Sequence, residues 1–223
     1  MKQRILLLLL LISITTKAQK FDSLRQESRA LTQLIFKKHY TNPKVDDAFS
    51  QQLFEQFIRK IDQKGLVFTQ LEIRDLERFQ NQLDNELTGD SWEFMSAFAP
   101  TYKRAIMRAE RIVEEIIKEP LNFTGDEYIQ FSKIKKPSFV ADELALKNRW
   151  KKWLKFNVLE DAYLKAENNV NPASLEPKIR QMIGQKYLRN FKKLSNPNNK
   201  DFSKTLSETF LETLALTFDP HTV

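Results

Sequence analysis

Apolar residues return with a helical period along almost the entire chain. Between residues 46 and 64 they recur every three or four positions, which places them on one face of a helix; they are Phe49, Leu53, Phe54, Phe57, Ile58 and Ile61. No stretch of the sequence alternates apolar and polar residues convincingly, as a half-buried strand would. The pattern therefore predicts an all-α protein, an irregular array of about seven to nine helices.

Capping and turn residues indicate where these helices begin and end. Asp46-Asp47 can cap one helix, and Thr69 followed by Glu72 forms a capping box for the next. Pro100 is expected to kink or divide its helix, whereas Pro177 is expected in a first turn, where helices tolerate proline. The predicted helices cover residues 21–38, 46–64, 69–88, 92–118, 142–167, 174–195 and 201–217, with a short helix or turn after Thr124 and a loop over 132–141.

Each predicted helix has an apolar face that should point into the core. The inward residues are predicted to be Leu24, Leu31, Leu34 and Ile35 on the first helix; Leu144, Trp150, Trp153, Leu154 and Leu159 near 142–167; Ile179, Met182, Ile183, Tyr187, Phe191 and Leu194 near 174–195; and Phe202, Leu206, Phe210, Leu214 and Phe218 at the end.

The first eighteen residues have the pattern of a secretory signal peptide. Lys2 and Arg4 supply positive charge, residues 5–14 form an apolar run, and residues 16–18 resemble a cleavage site. The run is too short to span a bilayer, so we predict cleavage after Ala18; an uncleaved anchor is the alternative. The exported chain would then meet the membrane only through the transient signal peptide.

Composition removes several classes of site. The 223 residues include no Cys and only two His, so disulfides, thiol catalysis and Cys-type zinc sites are excluded, and no HExxH motif exists. We predict no metal and no cofactor. The formal net charge is +7, and it falls to +4 once Lys2, Arg4 and Lys17 leave with the signal peptide. This small basic excess in an exported chain argues against a nucleic-acid partner.

No catalytic residue is recognisable. Ser132-Lys133 and Ser203-Lys204 are adjacent pairs, and neighbours in sequence point to different faces of a helix, which does not suit a Ser–Lys dyad. The sequence has no GxSxG nucleophile elbow. The paired carboxylates of Asp46-Asp47 are better explained as helix caps. Asn122 begins an Asn-Phe-Thr glycosylation sequon, which would mean little if the chain is bacterial; its Thr124 is more useful as a helix cap.

One helix carries both aromatic and basic residues. Trp150 and Trp153 lie three residues apart on one face, where core packing is favoured over a shelf on which a ligand stacks. The interleaved basic residues favour a solvated outer face, with a docking surface for an acidic partner as the sharper alternative; they are Lys147, Arg149, Lys151, Lys152 and Lys155.

The last residues, 218–223, read as a helix end followed by the start of an extended segment. Their sequence FDPHT resembles the DPHT junction of tail-specific (carboxy-terminal processing) serine proteases, at which an N-terminal helical domain passes into a PDZ-containing protease body. Other segments resemble the N-terminal domain of the same family. An early segment does so at His39-Tyr40, Asp47 and Ser50, and the next at Phe54, Ile61-Asp62, Gly65, Phe68, Thr69-Gln70 and Ile73. Two later segments, Trp150 to Trp153 and Arg180 to Tyr187, also fit that domain.

The resemblance covers nearly all of residues 21–223 and implies an envelope endopeptidase family. Its members degrade proteins from nonpolar C-terminal tails with a Ser–Lys dyad, a PDZ domain and no metal. In the family, the dyad and the PDZ domain follow the DPHT junction, so no catalytic residue is carried over to this chain. We expect a signal peptide (1–18), an N-terminal helical domain (19–217) and a truncated junction toward an absent PDZ/protease body (218–223).

Two functions follow as hypotheses. In the first, the chain is the exported N-terminal helical module of such a protease in the periplasm or envelope of a Gram-negative bacterium, and is inactive alone. Its partners would be the PDZ/protease body, unfolded or tail-bearing substrates and a lipoprotein adaptor, as the resemblance implies. In the second, it is a stand-alone secreted helical adaptor or scaffold.

Overall fold

The fold consists of helices joined by turns and loops. A computed structural model describes residues 21–38, 44–89, 92–124, 128–129, 138–165, 172–196 and 200–219, with only the backbone for 172, 173, 200 and 201. These residues form eight α-helices and no strand, which confirms the all-α prediction. The helices are α1 (Asp22–Lys38), α2 (Asp47–Ile61), α3 (Gln70–Leu76), α4 (Leu83–Thr88), α5 (Phe94–Ile116), α6 (Glu143–Lys165), α7 (Pro172–Ser195) and α8 (Lys200–Phe218).

The described residues divide into two compact units, and the boundaries fall within α3 and α5. The first unit comprises residues 21–61, 74–101 and 200–219; the second comprises 62–73 and 102–196. In the first, α2 packs against α8, α4 and the start of α5 around the ring of Phe57, which is fully buried. Its ring centroid lies 5.7 Å from that of Phe94, 4.9 Å from Phe98 and 5.4 Å from Phe210. Aromatic contacts of this kind stabilise a core beyond simple area burial.

The second unit is built around the antiparallel pair α6 and α7. Trp150 of α6 packs edge-on against Tyr187 and Phe191 of α7. Farther along, Val158 packs with Ile179 in a buried apolar cluster. Gly184 allows close approach to the end of α5, since a Cβ there would lie 2.5 Å from Ile117 Cγ2.

Two boundary predictions need correction, and at Pro100 one of the two expected outcomes, division of the helix, does not occur. The helix predicted over 69–88 is two helices, because α3 passes into a 3₁₀ turn at Glu77–Phe79 and the chain re-enters a helix at Leu83. The backbone N–H of Leu83 donates to Ser50 Oγ at 2.7 Å, which satisfies one donor of the new helix start. Pro100 lies inside α5 without dividing it, and Pro177 is the sixth residue of α7 rather than part of its first turn.

Four predicted core residues are exposed, namely Leu34, Leu144, Leu159 and Met182. The buried face of α6 carries Trp150 and Leu154, as predicted, together with Leu146, Val158 and Ala162. Helix α6 has apolar residues on both sides, so its period alone does not choose between faces. On α1 the buried positions include polar Ser28 and Thr32. The Thr32 hydroxyl is satisfied, because its Oγ1 donates to the Ser28 carbonyl at 2.8 Å.

The predicted caps are present. Asp46 Oδ1 accepts the backbone N–H of Phe49 at 3.1 Å, and Glu72 Oε2 accepts that of Thr69 at 2.9 Å. Among the residues described, no helix combines the length and the apolar character needed to cross a membrane. Several predictions lie wholly or partly outside these residues: the signal peptide, His39-Tyr40, the short helix or turn after Thr124, Ser132-Lys133 and Pro220 to Val223.

Candidate functional site

The segment between α2 and α3, residues 62–69, is the Asp62 loop, and a buried carboxylate holds it in shape. Asp62 Oδ1 accepts the backbone N–H of Leu66 at 2.8 Å. Asp62 Oδ2 accepts those of Val67 and Phe68, both at 2.9 Å. Three charge-assisted hydrogen bonds to one side chain fix the path of the backbone. Gly65, with φ of +62°, supplies the left-handed turn that brings these N–H groups together.

Burial dominates the electrostatics of this carboxylate. It raises the pKa of Asp62 above its ordinary value, although the three backbone donors and the Arg149 guanidinium oppose the shift. The phenol of Tyr102 is also affected, because burial and the Asp62 charge raise its pKa to about 12. The Phe68 and Tyr102 rings lie 5.8 Å apart. Both oxygens of Asp62 are engaged by the chain's own N–H groups, so the side chain is suited to holding the loop rather than to proton transfer.

Arg108, on α5, ties the loop to α3. Its Nη1 lies 2.8 Å from Glu72 Oε1, and its Nη2 lies 2.6 Å from Glu72 Oε2 and 2.7 Å from the Val67 carbonyl oxygen. Burial alone would raise the pKa of Glu72, but the hydrogen bonds from Arg108 and Thr69 lower it below its ordinary value. The bidentate geometry makes this pair stronger than an exposed ion pair.

Two adjacent residues of α6 close the loop from the other side. Trp150 Nε1 donates to the Leu66 carbonyl oxygen at 2.7 Å, and Arg149 Nη1 donates to that of Gly65 at 3.1 Å. Arg149 also donates to the Ser138 carbonyl. Its partial burial lowers the pKa of the guanidinium, and the Asp62 charge offsets part of this. Arg149 therefore belongs to the loop and not to a solvated basic face.

Neither Arg108 nor a role for Asp62 is among the predictions from the sequence. A signal for Arg108 exists, because it falls within the apolar face of α5, next to buried Ala105, Ala109 and Ile112. A charge inside an apolar stripe indicates a buried partner. Glu86 gives the same signal between buried Leu83 and Leu87.

The two tryptophans have different surroundings. Trp150 is buried, which agrees with the favoured core interpretation. Trp153 is half-buried, its Nε1 donates to Tyr187 Oη at 2.7 Å, and Lys64 Nζ lies 4.1 Å from its ring centroid. An ammonium group at this distance makes a cation–π contact. One face of the Trp153 ring therefore already has a cationic neighbour.

The Ser203-Lys204 pair and the Asn122 sequon both lie in ordinary local structure. Lys204 Nζ lies 3.8 Å from Glu208 Oε1, one turn along α8, and this gives Lys204 a surface partner other than Ser203. Asn122 Oδ1 accepts from the backbone and the hydroxyl of Thr124, at 2.8 and 2.7 Å, so the sequon forms a local turn. In the described ranges no group of three or more acidic or His side chains is placed to hold a metal ion.

The outer face of α6 borders two cavities of the second unit. The larger, ≈310 Å³, lies between Lys147, Lys151 and Lys155 of α6 and the Glu115–Asn122 segment. The smaller, ≈110 Å³, is lined by apolar side chains and by Lys152 and Lys155. Asn122 and Lys155 line both cavities. We call this pair of cavities the α6 groove.

Comparison with known proteins gives the class. The family model described as "Tail specific protease N-terminal domain" matches residues 31–223. This chain belongs to that family, as the sequence resemblance predicted. A relative named tail-specific protease, from Haemophilus influenzae, is 26% identical over 222 residues. The alignment covers 92% of this chain and 31% of the relative, so the chain spans about a third of that protein's length.

Proposed function

We propose that this chain is the exported N-terminal helical module of a tail-specific serine endopeptidase and contributes no catalytic residue. It would act as a scaffold that helps to enclose substrates and offers a docking surface to an adaptor. The observation that carries the proposal is the family match over residues 31–223. The name of the Haemophilus influenzae relative supports the endopeptidase part of it.

The interior of the chain supports a scaffold role. The side chains of Asp62, Arg108 and Trp150 form hydrogen bonds with backbone groups of the Asp62 loop and so hold its shape. In this proposal the Ser–Lys dyad and the PDZ domain belong to the remainder of the protease, and its partners are that remainder, tail-bearing substrates and a lipoprotein adaptor.

Catalysis is tested by incubating the purified chain with a peptide that ends in a nonpolar tail. The expected outcome is no cleavage, with or without a chelator. Metal-independent cleavage that is lost on substituting one serine, with Ser203→Ala as the first variant, would show that the chain carries its own nucleophile.

Export is tested separately by expressing the full chain in a Gram-negative host and fractionating the cells. We expect a periplasmic product that begins at Gln19, because residues 1–18 have a signal-peptide pattern. As a control, Leu8→Lys with Leu9→Lys interrupts the apolar run and should hold the chain in the cytoplasm. A product that keeps Met1 and fractionates with the membrane would instead indicate an uncleaved anchor.

A further inference from the structure

The α6 groove has a basic side and an acidic side. Lys147, Lys151 and Lys155 follow one another at intervals of four residues and so line one edge of α6. Glu115 and Glu119 stand on the opposite side of the larger cavity. Lys147 Nζ pairs with Glu115 Oε2 at 2.5 Å, which links the two sides at one end of the groove.

Positive charge concentrates toward the other end. Lys151 and Lys152 are exposed, and neither makes an ion pair with another residue in the described part of the chain. Among the described residues, those that line the smaller cavity include no acidic side chain. Phe123, Phe156 and Leu159 give it an apolar part beside the lysines. This end therefore combines cationic heads with an apolar recess.

The dimensions suit a short extended peptide. From Lys147 to Leu159 the helix rises about 18 Å, at ~1.5 Å per residue. An extended chain covers that length with roughly five or six residues. The recess of ≈110 Å³ is smaller than the ~150 Å³ cavity that takes up benzene. A branched aliphatic side chain therefore fits it better than an aromatic ring.

We propose that the α6 groove binds an extended acidic segment of a partner protein and takes up one branched apolar side chain in the recess beside Leu159. Carboxylates of the segment would face Lys151 and Lys152. A nucleic acid fits this groove less well, because it has no branched apolar side chain to enter the recess beside Leu159. This inference rests on the docking role proposed above and names the kind of partner that would dock.

The test measures the fluorescence anisotropy of the peptide EDLED-amide, labelled with fluorescein at its N-terminus, with the full chain in about 0.15 M salt. We expect saturable binding that weakens at least fivefold when the central Leu of the peptide is replaced by Ser. The variant Lys151→Glu with Lys152→Glu should bind about tenfold more weakly or worse, because two attractive contacts become repulsive. Leu159→Ser, at a partly exposed position, should weaken binding without unfolding the chain.

A matched control separates the groove from net charge. Lys178 and Lys186 are exposed on α7 of the same unit, so Lys178→Glu with Lys186→Glu makes the same charge change elsewhere. We expect its affinity to stay within twofold of the original. No binding of the peptide, or equal losses in both double variants, would overturn the inference.

Two further probes distinguish other anionic partners. The probes are single-stranded DNA and phosphatidylglycerol vesicles. If either binds as tightly as the peptide and loses binding in the Lys151→Glu with Lys152→Glu variant, the groove is a general polyanion site and the peptide proposal is wrong. The export and cleavage experiments do not depend on peptide binding. A failed binding test would therefore overturn this inference without overturning the function proposed above.

Discussion

Trp150 donates its indole N–H to the backbone carbonyl of Leu66 at 2.7 Å, across 84 residues of sequence. Trp150 is 1% exposed and Leu66 is 6% exposed, so water has little access to this bond. Leu66 also donates its own N–H to Asp62. Both backbone polar groups of Leu66 are therefore hydrogen-bonded: its N–H to Asp62 within the loop and its carbonyl to Trp150 of α6.

Trp150→Phe should lower the free energy of unfolding of the second unit by roughly 1–3 kcal/mol, because the buried Leu66 carbonyl loses its donor. Urea unfolding followed by circular dichroism measures this. Trp153→Phe is the matched control: its partner is a half-buried hydroxyl that water can satisfy, so the cost should be smaller. Equal costs for the two variants would show that ring volume, and not the hydrogen bond, decides the effect.

Asp62→Asn should destabilise the chain by roughly 1–3 kcal/mol, since the amide keeps one acceptor oxygen and turns an NH₂ group toward backbone donors. The exposed Asp75→Asn removes the same charge from α3 and should change the stability by less than about 0.5 kcal/mol. Chemical denaturation measures both. If both variants unfold at the same urea concentration as the original chain, the Asp62 loop is not held by this carboxylate.

The helical fold could be predicted where one period dominates. On α8 the residues Phe202, Leu206, Phe210, Leu214 and Phe218 recur every four positions, and all five are buried as predicted. On α6 the apolar residues form two faces, and the predicted set mixed them: Trp150 and Leu154 are buried as predicted, whereas Leu144 is 69% exposed. The choice depends on which neighbours pack there, and a local pattern does not contain that information.

The Asp62 loop could be located but not explained from the sequence. Gly65 and the Thr69 capping box marked a helix end and a helix start. Two donors that hold the loop are far away in sequence, since Arg108 of α5 donates to the Val67 carbonyl and Trp150 of α6 donates to that of Leu66. The resemblance pointed to these positions as a motif, and the hydrogen bonds supply its physical reason.

Gly184→Ala should destabilise the second unit by roughly 1–3 kcal/mol. The new Cβ would lie 2.5 Å from Ile117 Cγ2 and 3.3 Å from its Cβ, and the latter cannot rotate away. The intrinsic preference of helices for Ala over Gly acts in the opposite direction by about 1 kcal/mol. Thermal unfolding of Gly184→Ala, of Ile117→Ala and of the double variant tests the contact. Gly184→Ala should cost less stability in the Ile117→Ala background than in the original chain.

Glu86 gives the first unit a dependence on pH. Its Oε1 accepts the backbone N–H groups of Glu93 and Phe94 at 3.1 and 3.0 Å, so the carboxylate caps the start of α5. Burial nevertheless raises the pKa of Glu86 from 4.5 to about 7, against these hydrogen bonds. The folded state therefore binds a proton more tightly than the unfolded state does. The associated stability is fully present below about pH 4.5 and is lost as the pH rises through about 7.

Glu86→Gln should remove this dependence, because the amide is neutral at every pH and its oxygen can accept the same two N–H groups. Between pH 4.5 and 7 the stability of the original chain should fall relative to the variant by up to about 1.4 kcal/mol per pH unit. Urea unfolding at pH 5, 6, 7 and 8 measures the difference, and the exposed Glu77→Gln serves as the control. The comparison cancels contributions common to both proteins, including that of Glu72, whose lowered pKa acts below this range. A difference that stays constant from pH 5 to 8 would mean that Glu86 is ionised throughout in both states and that its two backbone donors outweigh its burial.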